Sequence, residues 1–355
     1  MDSIFFLGAG FSKAICDRYP LMRDLSRILL GENSSKFDYA CNIPQIIINN
    51  SDNFEKILTY LSTDLPWKKE YQKLSDKAEY LKLTKKIHDH FSINLAHTDL
   101  NYDKFKALWA YILIKGSPVI TLNYDLIVEK NLQLINHQIL NPRVSVVLTD
   151  YESLDEFYRG TVIDIKSKIG DIFNLTEKMP EILKLHGSVN WYYSEADNTN
   201  QIYCANKDTE IEKKLIGNYA PYIIPPILDK KSLYSHRILQ YLWTKAYDYL
   251  SYAKKIYIIG FSFPETDLAV KYLFESALSN NRNNPEIFIV DTNTTDEFKN
   301  KYKHLLGDNC NFDYCKENAL EIFMKQELIT QLKPEMITSI NNQTKEEHLA
   351  AIFGN

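Results

Sequence analysis

Four short apolar runs in this chain each break off into glycine or a polar side chain. They are SIFFLGAG from Ser3, PVITLNYD from Pro118, ILKLHGS from Ile182 and KIYIIGFS from Lys255. A run with no polar alternation is buried on both faces, which describes a strand of a parallel sheet covered by helices. In open sheets of that kind, ligands bind in the crevice beyond the carboxyl ends of the strands. The residues delivered there are Gly8, Gly10, Ser12, Asn123, Asp125, His186, Gly260 and Ser262. Together they suit a dinucleotide site with one histidine base.

The runs alternate with helical patterns, so the expected fold class is α/β, a Rossmann-like doubly wound parallel sheet with a helical insertion. Residues 1–36 and 117–325 form the expected catalytic domain, 37–116 the insertion and 326–355 a C-terminal tail. Within the insertion, helices are expected from Trp67 to His97 and from Tyr102 to Lys115. Leu74, Ala78, Leu81, Ile87 and Phe91 fit a helical apolar stripe. After Asp125 a helix is expected with Leu126, Val128, Leu132 and Ile135 inward. Val144–Leu148, Arg159–Ile165 and Ile287–Val290 read as further strands. Trp191, Tyr192 and Tyr193 read as core.

Composition narrows the classes. With 355 residues, 45% hydrophobic and 25% charged, the chain is long enough for a sizeable core. A net charge of −5 argues against a direct nucleic-acid surface, and the lysines between Lys68 and Lys86 read as a solvated helix face. No leader pattern or run of membrane-spanning length appears, and the five cysteines include no C-x-x-C pair. A cytoplasmic protein with buried thiols and no bound metal is expected.

Each strand end has two readings. Gly8-Ala9-Gly10-Phe11-Ser12 is a tight strand-to-helix turn or a phosphate cradle at a helix N-terminus, although Lys13 stands where the dinucleotide fingerprint has a third glycine. Asp125 is a helix N-cap or a ligand contact. Asn123 can donate and accept hydrogen bonds at once, which suits a carboxamide or a ribose hydroxyl. His186, at a strand-to-glycine junction, suits a general base. Asp291 and Asn293 follow a fifth run, where ribose hydroxyls are often read.

Gly8-Ala9-Gly10-Phe11-Ser12, Pro20 with Arg23, Thr121-Leu122-Asn123-Tyr124-Asp125, Leu185-His186-Gly187 and Gly260-Phe261-Ser262 occur here in the order of the sirtuin family. The chain resembles most the bacterial sirtuin-like proteins of anti-phage defence that degrade NAD. The departures are the missing pair of C-x-x-C motifs of the deacylase zinc ribbon, Leu21 after Pro20 instead of an acidic residue, and Leu122 in place of glutamine. The resemblance implies an NAD hydrolase (NADase) releasing nicotinamide and ADP-ribose. Asn123 and His186 would be catalytic. Gly8, Ala9, Gly10, Phe11, Ser12, Arg23, Asp125, Gly260, Ser262 and Asn293 would bind NAD. It implies a homo-oligomer gated by a separately encoded activator such as a HerA-type ATPase. An NAD or ADP-ribose sensor and an NAD-dependent protein deacylase are the alternatives.

Overall fold

The computed structural model describes residues 2–30, 54–92, 101–132, 180–193, 202–204, 220–227, 236–264 and 267–332. Strands β1 (Ser3–Leu7), β2 (Val119–Thr121), β3 (Ile182–Lys184), β7 (Lys255–Ile259), β8 (Glu286–Asp291) and β9 (Cys310–Cys315) form one sheet in the order β3-β2-β1-β7-β8-β9. Every pairing in it is parallel. Counted among themselves, the six strands run 3-2-1-4-5-6, the order of doubly wound dinucleotide folds. A smaller antiparallel sheet holds β4 (Gly187–Tyr193), β5 (Ile202–Cys204) and β6 (Ala220–Ile223) in the order β5-β4-β6.

The period of two along β1 divides the core. Phe5 and Leu7 face one side, packing with Tyr257 and Phe288 under α1 (Ala9–Ile15), α5 (Tyr102–Lys115) and α9 (Ala319–Phe323). Ile4 and Phe6 face the other, with Ile256 and Ile258 under α6 (Arg237–Tyr252), α7 (Leu268–Asn280) and α8 (Asp296–Leu306). Both faces are covered, so all five residues of β1 are buried. Each such large side chain contributes about 1.5–3 kcal/mol by leaving water. The expected α/β sheet is the observed one.

Several expectations are corrected. Helix α5 packs Phe105, Leu108, Trp109 and Ile112 directly on the β1 side of the sheet, so it flanks the sheet and does not belong to an insertion apart from it. Helices α3 (Phe54–Ser62) and α4 (Glu70–Phe91) build their own cluster from Phe54, Ile57, Leu58, Leu61, Leu83 and Ile87. Of the stripe expected to face inward on α4, Ile87 is buried and Phe91 packs against the cluster, but the N-terminal part faces out: Leu74 is 64% and Leu81 50% exposed, and Ala78 is exposed too. The helix has turned a partly polar face inward. Asp76 on it is buried and paired with Lys68, a lysine expected in solvent.

After Asp125, residues 127–132 are helical where described; Val128 and Leu132 are buried as expected, and Ile127 is buried where Leu126 was expected to be. Leu328 and Leu332 sit in the core, so the expected tail from residue 326 is packed through 332. β9 and the second sheet were not anticipated. The expected strands Val144–Leu148 and Arg159–Ile165, Ile135, and the tail beyond 332 lie outside the described residues.

Candidate active site

The strand order reverses between β1 and β7, because the chain leaves β1 for β2 on one side and returns to β7 on the other. That crevice is where an open sheet binds its ligand, and here the two flanking loops are locked together. Gly8 N–H donates to the Ile259 carbonyl at 3.0 Å, Gly10 N–H to the Gly260 carbonyl at 2.9 Å, and Gly260 N–H to the Val290 carbonyl at 2.9 Å. A Cβ on Gly8 would lie 2.5 Å from the Gly260 oxygen, and one on Gly10 2.9 Å from the Gly260 Cα. The glycines are therefore required by backbone meeting backbone between the loops. Phe11 N–H also turns inward, to the Gly8 carbonyl at 3.0 Å. Three of the amides in the loop read as a phosphate cradle are thus engaged within the protein.

Beyond the crevice the strand ends form a hydrogen-bonded chain. Asn123, just past β2, donates from Nδ2 to the Gly8 carbonyl and to Ser12 Oγ, both at 2.9 Å. Ser12 Oγ donates onward to Asp125 Oδ2 at 2.6 Å, and Asp125 Oδ1 accepts from Ile127 N–H at 3.0 Å. Asp125 is therefore both the cap of its helix and the anchor of the chain. Both Asn123 amide hydrogens are taken, so the side chain offers the cavity an acceptor, Oδ1, and not the donor-plus-acceptor pair its chemistry allows.

His186 lies where the chain passes from β3 of the large sheet to β4 of the small one. Its position is clamped through the backbone. Leu185 N–H donates to the Thr121 carbonyl at 2.9 Å, and Ile224 N–H donates to the His186 carbonyl at 2.8 Å. The Trp243 indole N–H holds the Leu185 carbonyl at 3.1 Å, and its ring lies beside the imidazole with centroids 6.4 Å apart. His186 Nε2 is 3.9 Å from Asp267 Oδ1, too far for a direct hydrogen bond.

These groups share one cavity of about 680 Å³, ample for a cofactor-sized ligand. Of the sequence candidates, Gly8, Ala9, Gly10, Ser12, Asn123, Asp125, His186, Gly260, Ser262 and Asn293 line it. Phe11 does not: its ring is buried edge-on against Trp109 with centroids 5.7 Å apart, a core residue and a correction to the expected ligand contact. Arg23 lies on α2 (Met22–Leu30), and its side chain is outside the described residues. Asn293 Oδ1 is engaged by Thr295 N–H at 3.0 Å, capping α8.

The sequence reading missed one wall. Tyr19, Phe91 and Tyr124 line the cavity as an aromatic series. Tyr19 stacks on Phe91 at 5.7 Å, and Phe91 meets Tyr124 edge-on at 5.7 Å. Tyr124 stood inside the asparagine motif and could have been read. Tyr19 and Phe91 carry no local signal, because only packing of α4 brings them together.

The lining is acidic. Asp24, Glu55, Asp125, Asp267 and Asp291 face the cavity, against His186 as the one described lining residue able to turn cationic. Burial pushes the Asp291 carboxyl above its ordinary range, partly offset by the N–H groups of Asn293 and Thr292. A cavity of this sign favours a ligand that carries or develops positive charge.

Lys184 braces the floor. Its ammonium, 3% exposed, lies 3.0 Å from Glu129 Oε1 and donates to the carbonyls of Tyr124 and Asp125. Lys184→Met would leave Glu129 and two carbonyls without that partner. Breaking a buried pair is costly, and since Glu129 is 20% exposed, the expected loss is about 2 kcal/mol. A urea midpoint unchanged from the parent would contradict this.

Among the described residues, no cluster of three metal-ligating side chains occurs and no helix is long and apolar enough to cross a membrane. The family model described as SIR2-like domain matches residues 117–315. No protein of curated function matches in sequence. Among solved structures, one of a Sir2 homolog–NAD complex aligns at 11% identity over 92% of this chain and 90% of its own, with a TM-score of 0.44. Sir2 in complex with an inhibitor, 2′-O-acetyl-ADP-ribose and a deacetylated peptide aligns at 13% identity over 93% of each chain, with a TM-score of 0.42. A Sir2 homologue mutant bound to ADP-ribose aligns at 12% identity over 96% and 94%, with a TM-score of 0.39.

Proposed function

This chain belongs to the SIR2-like domain family, and we propose that it is an NAD hydrolase, releasing nicotinamide and ADP-ribose. The observation that carries the reading is the meeting of the Asn123 acceptor and His186 in one acidic, aromatic-walled cavity at the sheet's switch point. The nicotinamide ring of NAD is already cationic, so it leaves as a neutral amide without a general acid. What the reaction asks of the protein is stabilisation of an oxocarbenium-like ribose and one group to take a proton from water.

In this mechanism the water oxygen bonds to the ribose C1′ as the C1′–N bond breaks, with the bonding pair returning to the ring. The water proton passes to His186. Asn123 Oδ1 accepts from the attacking water or a ribose hydroxyl, held in place by its hydrogen bonds to Gly8 and Ser12. The carboxylates around the cavity favour the cationic transition state, and Tyr19, Phe91 and Tyr124 offer flat faces to a ring. The absence of C-x-x-C pairs, in a family whose deacylases carry a zinc ribbon, favours water over an acylated lysine as acceptor.

Unrestrained NAD loss would harm the cell, so this reading includes gating by a separately encoded activator. Anti-phage defence with a HerA-type ATPase is the form the resemblance suggests. The test is chromatography of nicotinamide and ADP-ribose released from NAD, with and without that ATPase, for the parent and Asn123→Ala. The variant is expected to lose about 10²–10³-fold in turnover, the scale of removing one pre-positioned polar group. Absence of NAD binding by calorimetry in the parent would overturn the reading.

A further inference from the structure

The outward face of α4 carries a stripe that none of the described residues covers. Tyr71 is 64% exposed, Leu74 64% and Leu81 50%, with Trp67 in the preceding turn 74% exposed. With Ala78 the helical residues fall at 71, 74, 78 and 81, alternating steps of three and four, the spacing of a two-helix seam, and Trp67 stands in the turn just before them. Monomer surfaces scatter their exposed apolar side chains singly, and a contiguous row of this kind marks an interaction site. We infer that α4 pairs antiparallel with α4 of a second copy of this chain, about a two-fold axis at Leu74.

Two features select that occupant and that direction. The first is shape. Inverting the stripe about Leu74 sets Leu74 against its own copy, Trp67 towards Leu81, and the large Tyr71 against the small Ala78. A two-fold contact must be self-complementary in this way.

The second is charge. Glu70 and Lys77 lie on the same flank of the stripe, one helical step to either side of Leu74. Antiparallel pairing brings like flanks together, so Glu70 of one copy meets Lys77 of the other, twice. Parallel pairing would bring that flank against the opposite one and set Lys77 near Lys82. Glu70 is 83% exposed on its side chain and only 4.0 Å from Lys73 at its best, so it is open to a better partner.

The size is sufficient. Trp67, Tyr71, Leu74 and Leu81 together hold on the order of 400–500 Å² of uncovered surface. Two copies reach about 1,000 Å², the lower bound of a specific interface, before the flanks are counted. The face stands apart from the cavity, yet the same helix carries Phe91 into the cavity wall. Pairing therefore fixes an element that helps to shape the site.

The experiment is sedimentation velocity with light scattering on the full chain across the micromolar range. The parent is expected at twice the chain mass, and Leu74→Glu, which sets two carboxylates face to face on the axis, as monomer. Glu70→Lys alone and Lys77→Glu alone each weaken association by about tenfold or more, and the double variant recovers it, because the exchanged pair is again complementary. All three positions are in solvent, and a cooperative thermal transition checks that each variant is folded. A parent that stays monomeric, a dimer indifferent to Leu74→Glu, or a double variant no better than the singles overturns the pairing.

Discussion

His186→Ala lowers NAD turnover by about 10²–10⁴-fold, the ordinary contribution of one general base, equivalent to about 3–5 kcal/mol of barrier. The size of the effect follows from what the site lacks. Among the described lining residues His186 is the one imidazole, and the other ionisable acids and bases there are carboxylates and tyrosines. His186→Gln keeps a polar side chain in the slot but cannot carry the proton, so it falls to the same level. The fold should tolerate both changes. The backbone at 185 and 186 is held by Thr121, Ile224 and the Trp243 indole, none of which bonds to the imidazole itself. The measurement is nicotinamide release by a variant whose melting temperature lies near the parent's. Turnover within a few-fold of the parent would remove His186 from the mechanism.

Gly260→Ala is expected to destabilise the protein by about 3–5 kcal/mol, enough to remove most of the margin of an ordinary domain. Two costs combine. Gly260 has φ +61°, the left-handed region, which costs an L-residue about 1–2 kcal/mol. Its Cβ would also lie 2.2 Å from the Phe11 nitrogen and 2.5 Å from the Gly10 carbonyl carbon, both backbone atoms that cannot swing aside. The chain supplies its own control. Gly307 has φ +89° with nothing within 4 Å of the missing Cβ. Gly307→Ala therefore carries the conformational cost alone, about 1–3 kcal/mol. Urea denaturation of the two variants separates the terms, and equal midpoints would mean that the close approach of the β1 and β7 loops contributes nothing.

Gly8 and Gly260 show how far the sequence could be read. Both were visible as punctuation after apolar strands, and their position on the sheet followed from the strand pattern. Their reason did not. A glycine needed for a phosphate and one needed for a neighbouring loop look the same in one dimension, and only the Gly8–Gly260 contact distinguishes them. Asn123, Ser12, Asp125 and His186 were legible because each sits at the break of an apolar run, where the sheet itself sets the location.

The aromatic wall was not, since Tyr19 and Phe91 are joined by packing between distant elements. The α4 stripe failed for a related reason. Leu74, Ala78 and Leu81 have helical spacing, and spacing records that a face is apolar without saying whether its cover lies in the same molecule. The small antiparallel sheet was hidden because β6 is only four residues long with Pro221 inside it and shows no strand periodicity, and its pairing to β4 does the ordering.

The placement of β1 carries a cost in time. It is central in the sheet, yet its partners arrive late: Phe5 lies beside Val119, and Ser3 beside Lys255. On a ribosome adding about 5–20 residues per second, the second neighbour is made roughly 10–50 s after the first strand. Until β2 is made this largely apolar strand has two unpaired edges, and one stays unpaired until β7 follows, the kind of segment that seeks strands on other nascent chains. Contacts this distant along the chain also slow the folding search itself. A holding chaperone at the emerging N-terminal segment would answer that exposure, and yield in cells should depend on it more steeply than for a protein whose central strands are neighbours in sequence.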